Sequence, residues 1–139
     1  MTSRQTELKY TLKRHGQSMT GQRRILFEAL QGQEPQSMAE LVRACPGIDR
    51  ASVYRNVSLF EKLGIIQRLQ IGWKYKLELS DRFQRHHHHM TCTNCGRTIA
   101  LAEDSKLETQ LRLLAAHNRF KMKSHQLEIQ GLCETCSKT

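Results

Sequence analysis

Residues 86–96 have the sequence HHHHMTCTNCG, and this stretch decides how the second half of the chain folds. Four histidines lead into a Cys-x-x-Cys pair, Cys92 and Cys95, and 37 residues separate it from a second pair, Cys133 and Cys136. Each pair presents two sulfur atoms to one ion, and two pairs complete the tetrahedral four-cysteine site typical of structural zinc. We therefore predict a structural zinc ion bound by these four cysteines.

The same cysteines are open to two other interpretations, disulfides and a redox-active Cys-x-x-Cys. The first ten residues are polar and charged, without the apolar stretch of a secretory signal. We therefore expect a cytoplasmic protein, in which disulfides are rare. A single redox motif does not explain two pairs. The fifth cysteine, Cys45, stands alone beside Pro46, and we expect it to be a small buried apolar residue.

The four consecutive histidines predict two metal sites on opposite faces of one strand. Alternate side chains of a strand point to opposite sides of the sheet. His86 and His88 would then face one way, and His87 and His89 the other. A solvated run of histidines is the alternative interpretation.

Between the two cysteine pairs the sequence predicts a strand, a helix and a second strand. The first strand covers residues 97–101, the helix about 104–116 and the second strand 120–130. His125 interrupts the apolar alternation of the second strand, which makes it a candidate metal ligand. Glu108 has two interpretations that the local sequence leaves open. It closes a capping box at the helix start, or it turns an oxygen toward a metal ion.

Three segments between residues 20 and 64 have the apolar periodicity and the capping residues of helices. Two strand-like runs follow, residues 65–71 and 73–79, joined at Gly72. Three helices and a hairpin predict a winged helix-turn-helix domain. The expected helix boundaries are Thr20 and Gly32, the capping box of Ser37 and Glu40, and Asp49 or Ser52 and Gly64.

Positive charge is concentrated in this first half of the chain. Of 22 Lys and Arg and 13 Asp and Glu, residues 1–85 contain 15 basic and 8 acidic residues. Six of the seven histidines and four of the five cysteines lie in residues 86–139. The basic surplus favours a polyanionic partner such as nucleic acid. A merely solubilising surface is the alternative.

In a winged helix the third helix enters the major groove of double-stranded DNA. Arginine can bind guanine edges or phosphates, and tyrosine can contact thymine methyls or bond a phosphate. Basic residues of the first helix and of the wing are better placed for phosphates. The solvated face of an amphipathic helix is the alternative interpretation. The candidate contacts are Arg50, Ser52, Tyr54 and Arg55 on the third helix, Arg23 on the first helix, and Arg68 and Lys74 on the wing.

Two groups of motifs together resemble the ferric uptake regulator (Fur) family of bacterial metal-dependent repressors. The resemblance covers nearly the whole chain, and the ordered set of motifs is specific. The motifs are Thr20-Gly-Gln-Arg23 and Ala51-Ser-Val-Tyr-Arg55 in the winged helix, and His86 to His89 running into Cys92-x-x-Cys95-Gly96, with Cys133-x-x-Cys136.

The resemblance implies an α+β fold with an N-terminal winged helix-turn-helix domain and a small C-terminal α/β dimerisation domain that contains the four-cysteine zinc site. On this basis we place the DNA-binding domain at residues 1–80, a hinge at 81–84 and the metal-binding dimerisation domain at 85–139. The family further implies a homodimer that binds an inverted-repeat DNA operator when its sensing metal is loaded.

Carried over residue by residue, a second family metal site falls on four residues with imidazole or carboxylate side chains. This correspondence favours the ligand interpretation of Glu108. Zinc, iron(II) and manganese all suit mixed histidine and carboxylate ligands. The four residues of this second site are His86, His88, Glu108 and His125.

The family's sensing site at the hinge is matched only in part, by His87 and His89. We align its other ligands with Gln36, Lys76 and Ala100. Glutamine is a poor ligand, and the other two supply none at neutral pH. If no neighbour substitutes for them, the site containing Glu108 has to sense the metal, or the protein binds DNA without a sensed metal. The neighbours able to substitute are Glu78, Asp81 and Glu103.

These features predict a transcriptional regulator rather than an enzyme. A zinc hydrolase needs an open coordination position and a general acid or base, and the sequence has no HExxH helix or other catalytic signature. A metal buffer with incidental charge is a further alternative, which would show little salt-dependent DNA binding. No apolar run approaches the roughly 20 residues of a membrane helix, so we expect no membrane partner.

Overall fold

The computed structural model describes residues 2–71 and 73–138 and divides the chain into two compact units, with the division after Arg85. None of the described helices combines the length and the apolar character needed to cross a membrane. The first unit contains α1 Ser3–Arg14, α2 Gly21–Leu30, α3 Met38–Ala44, α4 Arg50–Lys62, β1 Ile66–Ile71 and β2 Lys74–Leu79.

Side-chain caps fix where three helices of the first unit begin. Thr20 accepts a backbone N–H at the start of α2, and Ser37 and Glu40 form a reciprocal capping box at α3. Of the two caps predicted for α4, Asp49 is the one used, since its carboxylate accepts the Ser52 N–H at 3.1 Å. These starts confirm the three helices predicted from the sequence.

The N-terminal helix α1 is the element that sequence analysis missed. It is mostly polar, and its apolar signal is limited to Leu8 and Leu12, one turn apart. Both leucines are fully buried in the core of the first unit. Two apolar residues are too few for a periodicity to be recognised. The capping box of Thr2 and Gln5 at the helix start was the available signal.

The hairpin of β1 and β2 completes the predicted winged helix. Its strands pair antiparallel from Ile66 opposite Leu79 to Ile71 opposite Lys74. The base of the hairpin is buried with the apolar faces of the helices, whereas its far end is more exposed. The predicted connection at Gly72 lies outside the described residues.

Residues 81–84, the predicted hinge, are attached to the first unit. The Phe83 ring is buried and packs edge-on against Phe27, with ring centroids 5.4 Å apart. Arg82 donates a hydrogen bond to Glu7 at 2.8 Å. These contacts extend the compact part of the first unit beyond residue 80, and the hinge itself stays a prediction.

The second unit contains β3 His88–Cys92, β4 Thr98–Leu101, α5 Ser105–His117, β5 Glu128–Gly131 and α6 Glu134–Ser137. The central strand is β3, which pairs antiparallel with β4 and parallel with β5. A parallel pair needs a crossover connection, and α5 lies in the segment that connects β4 to β5. Histidines therefore begin the central strand of this sheet and a cysteine ends it.

The strand predicted over residues 120–130 is wrong in extent, because only Glu128–Gly131 is a strand. A strand persists only where a neighbour satisfies its backbone groups. Pairing with β3 begins at Glu128, opposite His89. The preceding segment leaves the sheet, and its residue His125 contacts Glu108 instead.

We expect Leu12→Ala to lower the free energy of unfolding by about 2–5 kcal/mol, because it leaves a cavity at a fully buried position. The measurement is urea unfolding followed by circular dichroism. The control is Lys13→Ala on the exposed side of the same helix, expected to change stability by less than about 0.5 kcal/mol. Equal effects of the two substitutions would show that α1 does not belong to the core.

Candidate metal centres and nucleic-acid interface

The four cysteines predicted to bind zinc lie together in the second unit. Their four sulfur atoms lie within 4.8 Å of one another, and Sγ of Cys95 is 3.9 Å from Sγ of Cys133. Zinc–sulfur bonds of about 2.3 Å at tetrahedral angles place two sulfurs about 3.8 Å apart. The cluster therefore has the ligand type, number and spacing of a tetrahedral zinc site.

A turn and a strand pairing bring the two cysteine pairs together. The chain reverses at Gly96, whose φ of +79° favours glycine, and its N–H donates to the Cys92 carbonyl at 2.9 Å. Cys92 lies opposite Gly131 in the pairing of β3 with β5. Two residues after Gly131, Cys133 is the N-cap of α6, and Cys136 lies within that helix. The sheet thus delivers the second pair to the first.

The four sulfurs do not share one protonation behaviour. Hydrogen bonds from the backbone N–H groups of Cys95 and Cys133 lower the pKa of Cys92 to about 6, so this thiol is ionised at neutral pH. At Cys136 the Asn94 amide, 3.3 Å from Sγ, lowers the pKa, but the neighbouring sulfurs outweigh it and raise the pKa to about 11. Crowded thiolates repel one another, and a divalent cation removes that repulsion by displacing the protons.

The second predicted set of ligands also converges on one point. Glu108 Oε1 lies 2.6 Å from His88 Nε2 and 3.2 Å from His86 Nε2. Glu108 Oε2 lies 2.7 Å from His125 Nε2, and the Nε2 atoms of His86 and His125 are 3.1 Å apart. Three imidazoles therefore present the same nitrogen beside one carboxylate. This donor set suits zinc, iron(II) and manganese.

Glu108 is not the cap of α5. Asp104 caps the helix by accepting two backbone N–H groups of the first turn, whereas the Glu108 side chain is only 4% exposed and faces the histidines. Burial alone raises the pKa of Glu108, but the hydrogen bond from His88 and the charges of the other two histidines outweigh it and lower the pKa. An ionised, buried carboxylate among imidazoles is suited to a cation.

The predicted alternation of the histidines is present. The rings of His87 and His89 lie edge to face with centroids 4.6 Å apart, and neither joins the Glu108 cluster. Glu128, which sequence analysis did not single out, has Oε1 3.1 Å from His89 Nδ1. Such a carboxylate orients the imidazole and directs Nε2 outward as a ligand. The parallel register that places Glu128 opposite His89 has no signature in the sequence.

The positions aligned with the other hinge ligands are placed on three separate elements. The Gln36 side-chain amide donates to a backbone carbonyl of α2 at 2.8 Å. Lys76 lies on β2 and Ala100 on β4. Among the predicted substitutes, Glu78 is buried on β2 and accepts a side-chain amide hydrogen bond at 2.7 Å. The other two predicted substitutes are exposed: Asp81 and Glu103.

The exposed face of α4 carries three of the predicted DNA contacts. Arg50, Tyr54 and Arg55 are exposed, and the Arg50 guanidinium lies 5.6 Å from the centroid of the Tyr54 ring. Ser52 is buried instead. Its hydroxyl donates to Asp49 at 2.6 Å and accepts from Arg55 at 3.0 Å. Ser52 therefore stabilises the helix start and orients Arg55 rather than lying on the outward face.

The basic residues predicted to contact phosphates differ in how firmly they are held. Arg23 Nε donates to a side chain of α4 at 3.1 Å. Arg68 donates two hydrogen bonds to Glu61, at 2.7 and 3.0 Å. Lys74, at the far end of the wing, is exposed. Arg23 and Arg68 thus brace α2 and the wing against α4, and Lys74 extends outward.

We expect zinc that resists dialysis against EDTA to amount to one ion per chain and to be lost in Cys95→Ser, because three sulfurs cannot close a tetrahedral site. The measurement is mass spectrometry of metals on the purified full chain. The control is Cys45→Ala, which removes a buried cysteine outside the cluster and should leave the zinc in place. One resistant zinc remaining in Cys95→Ser would contradict the assignment.

The sequence pattern of the Ferric uptake regulator family matches residues 14–130 of this chain. The ferric uptake regulation protein of Campylobacter jejuni is 31% identical over 137 residues, which cover 93% of this chain and 85% of that protein. The peroxide operon regulator of Bacillus subtilis is 33% identical over 137 residues, covering 92% and 90% of the two chains.

A solved structure shares the fold across both units. The ferric uptake regulator of Helicobacter pylori superposes with a TM-score of 0.80 at 23% identity, covering 99% of this chain and 93% of that one. The family pattern spans the winged helix and the sheet that bears the histidines and the first cysteine pair. The chain therefore belongs to the Ferric uptake regulator family.

Proposed function

We propose that this chain is a metal-responsive transcriptional regulator that binds an inverted-repeat operator as a dimer and represses when its sensing metal is loaded. The observation that carries the proposal is the buried Glu108 carboxylate, which three imidazole Nε2 atoms surround. That donor set binds a divalent cation in a chain whose first unit is a winged helix. The relatives in Campylobacter jejuni and Bacillus subtilis are both named as regulators.

We assign different roles to the two clusters of ligands. Four cysteines bind zinc tightly and close the end of the sheet, so we assign them the structural ion. Imidazole and carboxylate ligands suit zinc, iron(II) and manganese, and their occupancy follows metal availability. We therefore assign sensing to the cluster around Glu108.

The pair His87 and His89 is a less favourable sensor. Gln36, Lys76 and Ala100 add no strong ligand at the positions that the resemblance aligns with the hinge site. We therefore propose that metal bound by the two histidines, if any, is weaker than metal at the Glu108 cluster. A metal ion at Glu108 needs no such complement, because all four of its ligands come from the second unit.

For DNA, we propose that α4 enters the major groove with Arg50, Tyr54 and Arg55. Arginine recognises guanine edges or phosphates, and the phenol of Tyr54 contacts a thymine methyl or a phosphate. Lys74 then neutralises a phosphate beside the groove. In a dimer, two such helices about 34–36 Å apart reach successive major grooves, which is the geometry of an inverted repeat.

The dimer is supported by apolar side chains that the second unit leaves exposed. Monomeric proteins rarely leave contiguous apolar patches open, and such patches mark interfaces. A second copy of the chain is the partner we propose, in keeping with the family's dimers. The exposed side chains are Leu113 and Leu114 on α5, Phe120 after it, and Met90, Ile99, Ile129 and Leu132 on or beside the sheet.

The test is DNA affinity with and without the sensing metal. A fluorescein-labelled duplex, selected from random-sequence DNA with the Mn²⁺-loaded protein, is titrated with the full chain and followed by anisotropy. We expect EDTA-treated protein, which retains only the structural zinc, to bind at least tenfold more weakly than protein with Mn²⁺ restored. The affinity should also fall steeply with salt, since DNA binding releases counterions.

Glu108→Ala should abolish the metal response while leaving the structural zinc in place, because it removes the only carboxylate of the cluster. Glu103→Ala removes an exposed carboxylate of the same unit and should respond like the wild type. Equal affinity of the EDTA-treated and Mn²⁺-loaded wild type would refute sensing and leave a DNA-binding protein that is constitutively active.

A further inference from the structure

The tip of the β1–β2 hairpin carries Trp73, the only tryptophan of the chain, with 85% of its surface exposed. Its exposure exceeds that of every other large apolar side chain among the described residues. Indole surface of this size favours burial, and tryptophans left open to solvent are enriched where a partner will cover them. Trp73 therefore needs an occupant that the first unit does not supply.

Positive charge lies directly beside this indole. The Lys74 ammonium is 5.0 Å from the centroid of the Trp73 ring, and the hairpin also carries Arg68 and Lys76. The flanking strands add no acidic residue near the tip, since Glu78, their only carboxylate, pairs opposite Gln67 toward the base. A flat apolar ring beside a cation matches the chemistry of nucleic acid, where sugars and bases adjoin phosphates.

The wing is braced so that its tip has a defined position relative to α4. The two hydrogen bonds from Arg68 to Glu61 join β1 to the C-terminal part of α4. The Arg68 guanidinium also lies 4.0 Å from the centroid of the Tyr75 ring, which joins β1 to β2. Near the tip, the Gln70 side chain donates to the Lys74 carbonyl at 3.1 Å. An ordered wing of this kind presents Trp73 at low entropic cost.

The length of the hairpin suits a second contact with the same duplex. Six residue pairs separate its base from its tip, which corresponds to a reach of roughly 17 Å at about 3.3 Å per residue. The major groove is about 12 Å wide. A tip with that reach extends past the edge of the groove that α4 enters.

We infer that Trp73 is a DNA-contacting residue, which packs its indole against sugars and base edges in the minor groove that flanks the major groove occupied by α4. Apolar side chains at such positions act as wedges, and their contact depends on how easily the base steps open. Lys74 binds a neighbouring phosphate. This inference rests on the proposed function and adds to it a contact outside the recognition helix.

Because Trp73 is the sole tryptophan, its fluorescence reports the contact directly. The Mn²⁺-loaded full chain is titrated with the selected duplex, unlabelled for fluorescence and fluorescein-labelled for anisotropy. We expect the indole emission to weaken and shift to shorter wavelength, with saturation at the same duplex concentration as the anisotropy.

Substitutions separate the ring from its charge. Trp73→Ala should weaken binding about tenfold without changing the slope of log K against log salt, because no charge is lost. Trp73→Phe should retain most of the affinity, since it keeps an aromatic ring. Lys74→Ala should reduce the magnitude of the salt slope by about 0.9, as expected for one lost phosphate contact.

The matched control is Tyr10→Ala, which removes a ring that is 60% exposed on α1 and has the Arg14 guanidinium 5.8 Å from its centroid. We expect it to leave the affinity unchanged. If the wild type binds the duplex while its emission stays constant and Trp73→Ala binds equally well, the Trp73 contact is refuted and the regulator function stands. Emission that depends on protein concentration without DNA would assign the indole to a protein contact and also refute the inference. No anisotropy change in the wild type would refute both proposals.

Discussion

The parallel pairing of β3 with β5 is the constraint on which both metal clusters depend. Its register places Cys92 opposite Gly131, from which the chain continues to the second cysteine pair. The same register sets Glu128 opposite His89 and leaves His125, three residues earlier, to contact Glu108. A slip of one residue would turn these side chains to the other face of the sheet.

The two clusters also share one short strand. His88 begins β3 and Cys92 ends it, which puts their Cα atoms roughly 13 Å apart at about 3.3 Å per residue. An ion held by the four cysteines ties the end of β5 to the end of β3. We infer that it also fixes the place at which the chain leaves the sheet toward His125. Structural zinc in this account is a precondition for the second site, because it sets the geometry that the sensing ligands need.

Much of this could be predicted from sequence because the deciding signals are local. Two Cys-x-x-Cys pairs, a histidine run and capped amphipathic helices each depend on neighbouring residues, and the structure brings the predicted ligands together. Three features depended on tertiary contacts instead. Helix α1 is ordered by burial of Leu8 and Leu12, Ser52 is turned inward by Asp49 and Arg55, and Glu128 reaches His89 only through a parallel register. The overlong strand 120–130 has the same cause, since apolar alternation does not reveal whether a pairing partner is present.

The central claim is that metal at the Glu108 cluster and DNA at the winged helix bind with a shared coupling free energy. Such coupling is reciprocal, so DNA must tighten the metal site by the same factor by which metal tightens DNA binding. The most direct measurement is calorimetric titration of Mn²⁺ into the zinc-retaining protein, alone and with the selected duplex at saturation. The account predicts a ratio of metal affinities equal to the ratio of DNA affinities with and without Mn²⁺. A metal affinity that is the same with and without duplex would contradict it.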